Sequence, residues 1–366
     1  MAMLDTLKIN RFRGIRDLTV EKLGSINLVV GDNNCGKTSV LEAIQLFRSA
    51  GSGGLANIYK IARQRESMFG INTNSIYENF ICMFTRNEDN LAIDICADMD
   101  SVQRSYRVTG TESRILMDLG ELDRNTRRSM AESGEEMETD AFDGNVEYKN
   151  GSDIQHESIH VNRYSRISGT TIPSKDDLRI VYVSPFEHLR GNIIGFIVKN
   201  DGYKEICLKA LQLFDPDIED MMIFRSDIGD RAVEYLKHKK LGNMPLSTYG
   251  DGVKKVLVLS NAIAAAEDGI LLIDEIETAI HKKYYDDIFS FIVKACKVFN
   301  VQVFITTHSL EAIDGLLDTQ NYDEQDEEDD ITVVTLKKEN DRTYSRVMSG
   351  RKVAENREAF GFEVRL

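Results

Sequence analysis

No uninterrupted apolar stretch of membrane-spanning length occurs in this chain of 366 residues, which argues against a transmembrane helix. The N-terminus, Met1-Ala-Met-Leu-Asp5, lacks the basic and apolar regions of a secretory signal. Cysteine is scarce. The five present (Cys35, Cys82, Cys96, Cys207 and Cys296) are scattered, odd in number and without metal-ligand spacing, the pattern of free thiols in a reducing cytoplasm. Positive charge is also short: the net charge is −15 and the pI near 5.0, so there is no broad basic surface. Any contact with DNA must be local. The candidates are Lys60, Arg63 and Arg65, or Lys237-His-Lys-Lys240, each of which also reads as the solvated face of a helix. No segment sustains heptads over many turns, which argues against a long coiled-coil arm.

Against these absences stands one strong motif. Residues Gly31-Asp-Asn-Asn-Cys-Gly-Lys-Thr-Ser39 form a G-x-x-x-x-G-K-[ST] phosphate-binding loop. It follows the apolar run Ile26-Asn-Leu-Val-Val30 and leads into Val40-Leu-Glu-Ala-Ile-Gln-Leu-Phe47, the strand–loop–helix order that the chemistry needs. Glycines let the backbone curl so that its N–H groups point inward, and the helix N-terminus adds partial positive charge. Lys37 is placed to reach the β- and γ-phosphates, and the Thr38 hydroxyl to coordinate Mg²⁺. Cys35 lies within the loop, either as a redox site or as a small residue at a permissive position.

Along the chain, Leu7-Lys-Ile-Asn-Arg-Phe-Arg13 alternates like a half-buried strand, continued by Leu18-Thr-Val20 after a turn at Gly14. Gly51-Ser-Gly-Gly54 marks a flexible exit from the first helix. Short alternating segments in 75–118 suggest antiparallel strands, and the polar stretch 119–157 reads as loop-rich. Leu178-Arg-Ile-Val-Tyr-Val183 restores order. Helices follow near Tyr203–Phe214, stopped by Asp215-Pro216, and near Arg231–Lys240. Residues 51–244 are thus expected to be an insertion, β-rich over about 51–184 and then a helical lobe over about 185–244. Residues 1–50 and 245–366 form the core.

The core resumes with a helix over Val253–Glu267 and the buried strand Gly269-Ile-Leu-Leu-Ile273. A helix near Lys283–Phe299 and a second buried strand, Val301-Gln-Val-Phe-Ile305, come next. Seven of the eight residues from Asp323 to Asp330 are acidic, the composition of a self-repelling loop. Ile331–Leu336 and Tyr344–Val347 then read as a hairpin, before a short helical tail. Strands alternating with helices imply a parallel sheet with helices on its faces.

Two strands end in chemistry. Ile270-Leu-Leu-Ile-Asp-Glu275 delivers Asp274 and Glu275 beyond a carboxyl end, where open α/β sheets bind ligands. Asp274 is suited to hold Mg²⁺, and Glu275 to orient and activate water. Phe304-Ile-Thr-Thr-His-Ser309 presents His308 to the γ-phosphate or to the water near Glu275. His281 is either a loop residue near the site or solvent-facing. Leu246-Ser-Thr-Tyr-Gly-Asp-Gly252 is a second small-residue turn before a helix, suited to an anion or simply a glycine turn.

Together these motifs resemble the ABC-type ATPase head of SMC, RecF and OLD-like proteins. The resemblance rests on Gly31–Ser39 with Leu41-Glu-Ala-Ile44, Tyr249-Gly-Asp-Gly252, Leu271-Leu-Ile-Asp-Glu275, Thr307-His-Ser309 and the strand Leu7-Lys-Ile-x-x-Phe-Arg13. Asp274-Glu-Ile-Glu-Thr-Ala-Ile-His281 is most similar to the standalone OLD-like ATPases. The fold implied is α/β, a P-loop ABC-type head with a mainly parallel sheet flanked by helices, carrying an antiparallel β region and an inserted helical lobe.

The resemblance also implies ATP and Mg²⁺ as cofactors. The implied ATP contacts come from Arg13, Gly31, Asn33, Asn34, Cys35, Gly36, Lys37, Thr38 and Ser39, with metal ligands Thr38 and Asp274 and catalysis by Lys37, Glu275 and His308. It implies a homodimer in which Ser247, Gly250, Asp251 and Gly252 of one copy cap the γ-phosphate held by the other. Two departures stand out. The signature lacks the Ser-Gly-Gly-Gln order, leaving Ser247 or Tyr249 in the serine's place, and no glutamine is evident for the family's Mg²⁺-sensing loop. Only 58 residues follow His308, too few for the TOPRIM nuclease domain of full-length OLD proteins, so any nuclease is expected in a separate partner.

The function expected is a cytoplasmic ATP-driven switch controlling a partner effector, in anti-phage defence or DNA maintenance. The alternative is a RecF-like DNA-binding repair ATPase with no dedicated effector. A GTPase reading needs Asn-Lys-x-Asp at a strand end, and the nearest match, Ser174-Lys-Asp-Asp177, precedes a strand. A kinase reading needs an acceptor site and a lid, and neither is identifiable.

Overall fold

The computed structural model describes residues 3–49, 54–67, 76–85, 90–117, 137–165, 177–189, 193–195, 197–225, 232–322 and 329–365. The chain opens with β1 (Leu4–Phe12) and β2 (Ile15–Val20), an antiparallel pair whose Leu4, Leu7, Ile9, Phe12, Ile15, Leu18 and Val20 all point inward. Then come β3 (Ile26–Gly31), α1 (Lys37–Gln45), α2 (Gly54–Ser67) and α3 (Ile76–Ile81). Four strands follow: β4 (Leu91–Met99), β5 (Val102–Met117), β6 (Met137–Asn150) and β7 (Asp153–Asn162). After β8 (Ile180–Val183) and α4 (Asp201–Gln212) come β9 (Ile218–Arg225), β10 (Ala232–His238) and β11 (Gly242–Pro245). The remainder is α5 (Asp251–Ala265), β12 (Ile270–Ile273), α6 (Tyr285–Val298), β13 (Gln302–Thr306), α7 (Leu310–Leu317), β14 (Ile331–Glu339), β15 (Arg342–Ser349) and α8 (Gly350–Phe360).

The central sheet has the order β15-β14-β3-β13-β12-β8, parallel throughout except at β15. Period-two alternation sends its side chains into two separate cores. Leu28, Val30, Leu271, Ile273, Val303 and Ile305 pack with α4, α5, α6 and α7 on one face. Val29, Ile270, Leu272, Phe304 and Val334 pack with α1 and the antiparallel sheet β2-β1-β4-β5-β6-β7 on the other. Strands buried on both faces read as continuous apolar runs, which is why β12 is Ile-Leu-Leu-Ile. The buried Gln302 amide ties the sheets together, exchanging hydrogen bonds with Leu4 N and O (2.7 and 2.9 Å).

Three stretches depart from the sequence expectations. Residues 137–150 and 153–162 form long paired strands where the polar composition suggested loop; their inward positions (Phe142, Val146, Tyr148, Ile159, Val161) alternate with outward Asp, Glu, Asn and His. Residues 232–238 are strand β10, not helix, because β9 and β11 flank them in a three-stranded antiparallel sheet. The lobe after 185 is therefore mixed α/β. Finally, β8 falls within the stretch expected to be inserted, yet it is the edge of the central sheet. Gly51–Gly53, Ser174–Asp176 and Asp323–Glu328 lie outside the described residues.

Candidate active site

The carboxyl ends of β3, β12, β13 and β8 converge, and the phosphate loop leaves β3 there. Gly31 and Gly36 adopt φ of +143° and +105°. A Cβ on Gly31 would stand 2.2 Å from the Leu336 carbonyl oxygen, so backbone approach as well as dihedral demands glycine. Gly36 is the N-cap of α1 and supplies no side-chain cap, which leaves first-turn N–H groups for an anion. Lys37 Nζ donates to its own loop, to the carbonyls of Gly31 (2.8 Å) and Asp32 (2.9 Å). Asp32, Asn33 and Asn34 are exposed, whereas Cys35 is buried, and burial pushes its thiol pKa up. That makes Cys35 a packing residue under the loop, not a reactive thiolate.

Asp274 is the hub. Only 3% exposed, it accepts from three hydroxyls: Thr306 at 2.6 Å, Thr38 at 3.0 and 3.2 Å, and Tyr182 at 3.0 Å. Burial raises its pKa, and the three donors pull it back. The Thr306 hydroxyl also accepts from Glu275 N–H at 2.8 Å, so one threonine orients both consecutive carboxylate residues. Glu275 holds a left-handed φ of +48°, a costly conformation for a non-glycine residue and one that concentrates at functional sites. Its pKa is raised, first by burial and then by the charges of Asp274 and Glu277.

His308 sits at the end of β13, but its partner is Glu277, not Glu275. Nδ1 lies 3.0 Å from the Glu277 carboxylate, and the His308 backbone N–H donates to the same oxygen at 3.1 Å. Arg365 Nη1 donates to the His308 carbonyl at 2.9 Å, with the guanidinium gripped by Glu363. Neither Glu277 nor Arg365 was singled out in the sequence. Glu277 had a cue in Asp274-Glu-Ile-Glu277; Arg365 had none.

Arg13 lines the space beside the loop with its guanidinium held by an acid. It pairs with the fully buried Glu42 of α1 (2.6 Å), and Arg65 of α2 grips the same carboxylate (2.8 and 2.9 Å) while donating to Ser39 at 3.2 Å. Beside this network a cavity of about 570 Å³ opens along the loop, lined by Arg13, Arg16, Asn34, Ser39, Arg65 and Lys338 among others. Its wall is cationic, and its volume falls within the range of small-molecule sites.

The second glycine turn stands apart. None of residues 246–252 lines that cavity. Leu246–Thr248 is a single 3₁₀ turn, Gly250 caps α5, and Asp251 pairs with Lys254 (3.1 Å). Gly252 lies against the Ala279 carbonyl, in the loop that follows Glu275. His281 is exposed and caps the next turn by accepting from Lys283 N–H at 3.3 Å, the solvent-facing alternative. Within the basic run 237–240, Lys237 pairs with Glu219, His238 with Asp215 and Lys240 with Asp217. Asp215, Asp217 and His238 are also near enough to hold a metal. However, His238 Nδ1 accepts from two backbone N–H groups, so Nε2 carries the proton and donates to Asp215. That cluster is satisfied without an ion.

A phosphate loop whose Thr38 meets an acid at the end of a neighbouring parallel strand, followed by a second carboxylate and a strand-end histidine, defines a P-loop ATPase. The chain belongs to the family described as "AAA domain, putative AbiEii toxin, Type IV TA system", whose model matches residues 26–314. A Helicobacter pylori protein named ATP/GTP phosphatase is 23% identical over 342 residues, covering 86% of this chain and 87% of that protein. The DNA replication and repair protein RecF of Idiomarina loihiensis is 30% identical over 122 residues, 32% of this chain and 30% of RecF. Among solved structures, an SMC head bound to the C-terminal winged-helix domain of ScpA aligns with a TM-score of 0.48 at 12% identity, over 96% of this chain and 99% of that one. No helix among the described residues is long and apolar enough to cross a membrane.

Proposed function

We propose that this ATPase is Mg²⁺-dependent, that its complete site forms between two copies of the chain, and that its nucleotide state controls a separate effector protein. The observation that carries the reading is the Thr38–Asp274–Thr306–Glu275 constellation, which joins residues 236 positions apart. The Thr38 hydroxyl and the Asp274 carboxylate are hard oxygen donors in contact at a buried position, a set that suits Mg²⁺. When bound, the ion supplies charge neutralisation to the β- and γ-phosphates.

The chain's own residues do the rest. Lys37 exchanges the Gly31 and Asp32 carbonyls for phosphate oxygens, and the N–H groups of Gly36–Ser39 cradle the same anion. Asn33, Asn34 and Cys35 contribute loop backbone, while Arg13 shapes the cavity beside the loop through Glu42. Glu275 orients the attacking water and takes its proton, a task favoured by its raised pKa. Glu277 fixes the imidazole of His308, which would contact the γ-phosphate of a bound nucleotide. Ser247, Gly250, Asp251 and Gly252, remote from the cavity in one copy, serve the other copy's nucleotide.

Light scattering on Glu275→Gln with and without Mg·ATP tests the composite site. A doubled mass with ATP is expected; no mass change and no pre-formed oligomer would sink it. The effector is sought by purification from the native host, a TOPRIM-type nuclease being one candidate and anti-phage defence the proposed setting. The toxin and TA system named in the family description accord with a two-component arrangement. Purification without any partner would count against it. The RecF similarity favours a second reading, an ATPase that binds DNA itself. ATP-stimulated binding with a steep salt dependence would support that reading.

A further inference from the structure

Asp274 receives hydroxyl donors from three segments, and two of them, Thr38 and Thr306, belong to the loop and strand ends already described. The third does not. Tyr182 lies within β8, in register with Leu272 of β12, and its side chain turns toward the core shared with α1 and α2. Its hydroxyl donates to Asp274 Oδ2 at 3.0 Å.

We propose that Tyr182 is a positioning residue that fixes the Asp274 carboxylate for the cation. The inference rests on the reading of Thr38 and Asp274 as cation ligands. In the structure described, Thr38 and Tyr182 share Oδ2. Thr38 would itself be a cation ligand, whereas Tyr182 on Oδ2 and Thr306 on Oδ1 are the donors that would serve the carboxylate alone and hold its plane. A buried phenol needs some partner, and a backbone carbonyl would satisfy it. Pairing it with the acid instead makes the hydroxyl a brace for the carboxylate.

The test reads Mn²⁺ binding in the presence of ADP by electron paramagnetic resonance. Tyr182→Phe is expected to weaken Mn²⁺ about tenfold, the usual cost of removing a hydrogen bond to a ligating carboxylate. ADP binding without metal should be unchanged. Mn²⁺ affinity in Tyr182→Phe within twofold of wild type, or a loss of ADP affinity equal to that of Mn²⁺, would overturn the positioning role. Absence of ADP binding by the wild type would instead overturn the proposed function itself.

Discussion

Two glycine turns that precede helices among the described residues, one before α1 and one before α5, are built in opposite ways. The first, Gly31–Ser39, is closed. A carbonyl from β14 fills the space beside Gly31, Lys37 bonds back to the loop, and Thr38 is tied to an acid from another strand. The second, Ser247–Gly252, is open. A Cβ on Gly250 would meet nothing within 4 Å, and its φ of −64° is one that any residue adopts. A closed turn is a site held ready by its own fold. An open glycine that needs neither its dihedral nor its space has no reason within the monomer to be glycine. Close approach by something outside the chain supplies one, and a second copy's nucleotide is the occupant proposed above.

The largest effect that would sharpen this contrast lies at the closed site. Glu275→Gln should lower ATP turnover by about 10²–10⁴-fold while leaving nucleotide binding intact, as read by single-turnover kinetics and calorimetry. The same variant has a stability signature. The folded state keeps the Glu275 proton to higher pH than the unfolded chain does. Between the ordinary and the raised value the folded state binds more protons, so wild-type stability falls as pH rises through that window. Glu275→Gln escapes this loss. Its Tm should exceed that of wild type at pH 8 by about 1–3 °C, and the two should converge at pH 4.

Next in size is Gly31→Ala. Its methyl would overlap a backbone carbonyl that cannot swing away, at a φ that alanine avoids, and should cost on the order of 3 kcal/mol in denaturant unfolding. A cost under about 0.5 kcal/mol would mean that the first turn is as slack as the second.

Lys255 stands within the field of the acids beside the first turn. It sits on α5, which begins at the second turn, yet is fully buried with Nζ 3.4 Å from the Pro185 carbonyl. Burial lowers its pKa from 10.5 to about 8, against the opposing pull of Asp274, Glu277 and Glu275. Between those values the unfolded chain holds the proton and the folded one does not, so stability rises with pH from about 8 to 10.5. Lys255→Met should lack that rise. It should be the more stable protein at pH 7, by at most about 3 kcal/mol, with the gap narrowing at pH 9.5. An equal gap at both pH values in thermal melts would show that the ammonium is solvated.

How legible this was differs between the same regions. The phosphate loop, Asp274 and Glu275 could be read from sequence because each follows an apolar strand whose period is unmistakable, and the chemistry sits at the strand's end. The hubs could not. Thr306, Tyr182 and Glu42 are ordinary residues within their elements, and their roles come from the register of β8, β12 and β13 and from the docking of α1 on α2. Strands β6, β7 and β10 were missed because outward-facing Asp, Glu and Lys hide the alternation, and pairing over a whole strand outweighed local preference. Arg365 reaches His308 through tertiary packing alone.

The smallest expected change in stability is also the most discriminating. Gly250→Ala adds a methyl into open space at a permissive φ, so unfolding free energy should move by less than about 0.5 kcal/mol, with ATP still bound by the first turn. If a second copy's phosphate approaches this turn closely, the same methyl blocks it, and the ATP-dependent mass increase of Glu275→Gln should vanish in the double variant. Stability and function then separate at one atom: Gly31 is glycine for the fold, Gly250 for the partner. Should the double variant still double its mass with ATP, the open turn has no partner to admit, and the contrast between the turns reduces to one of packing.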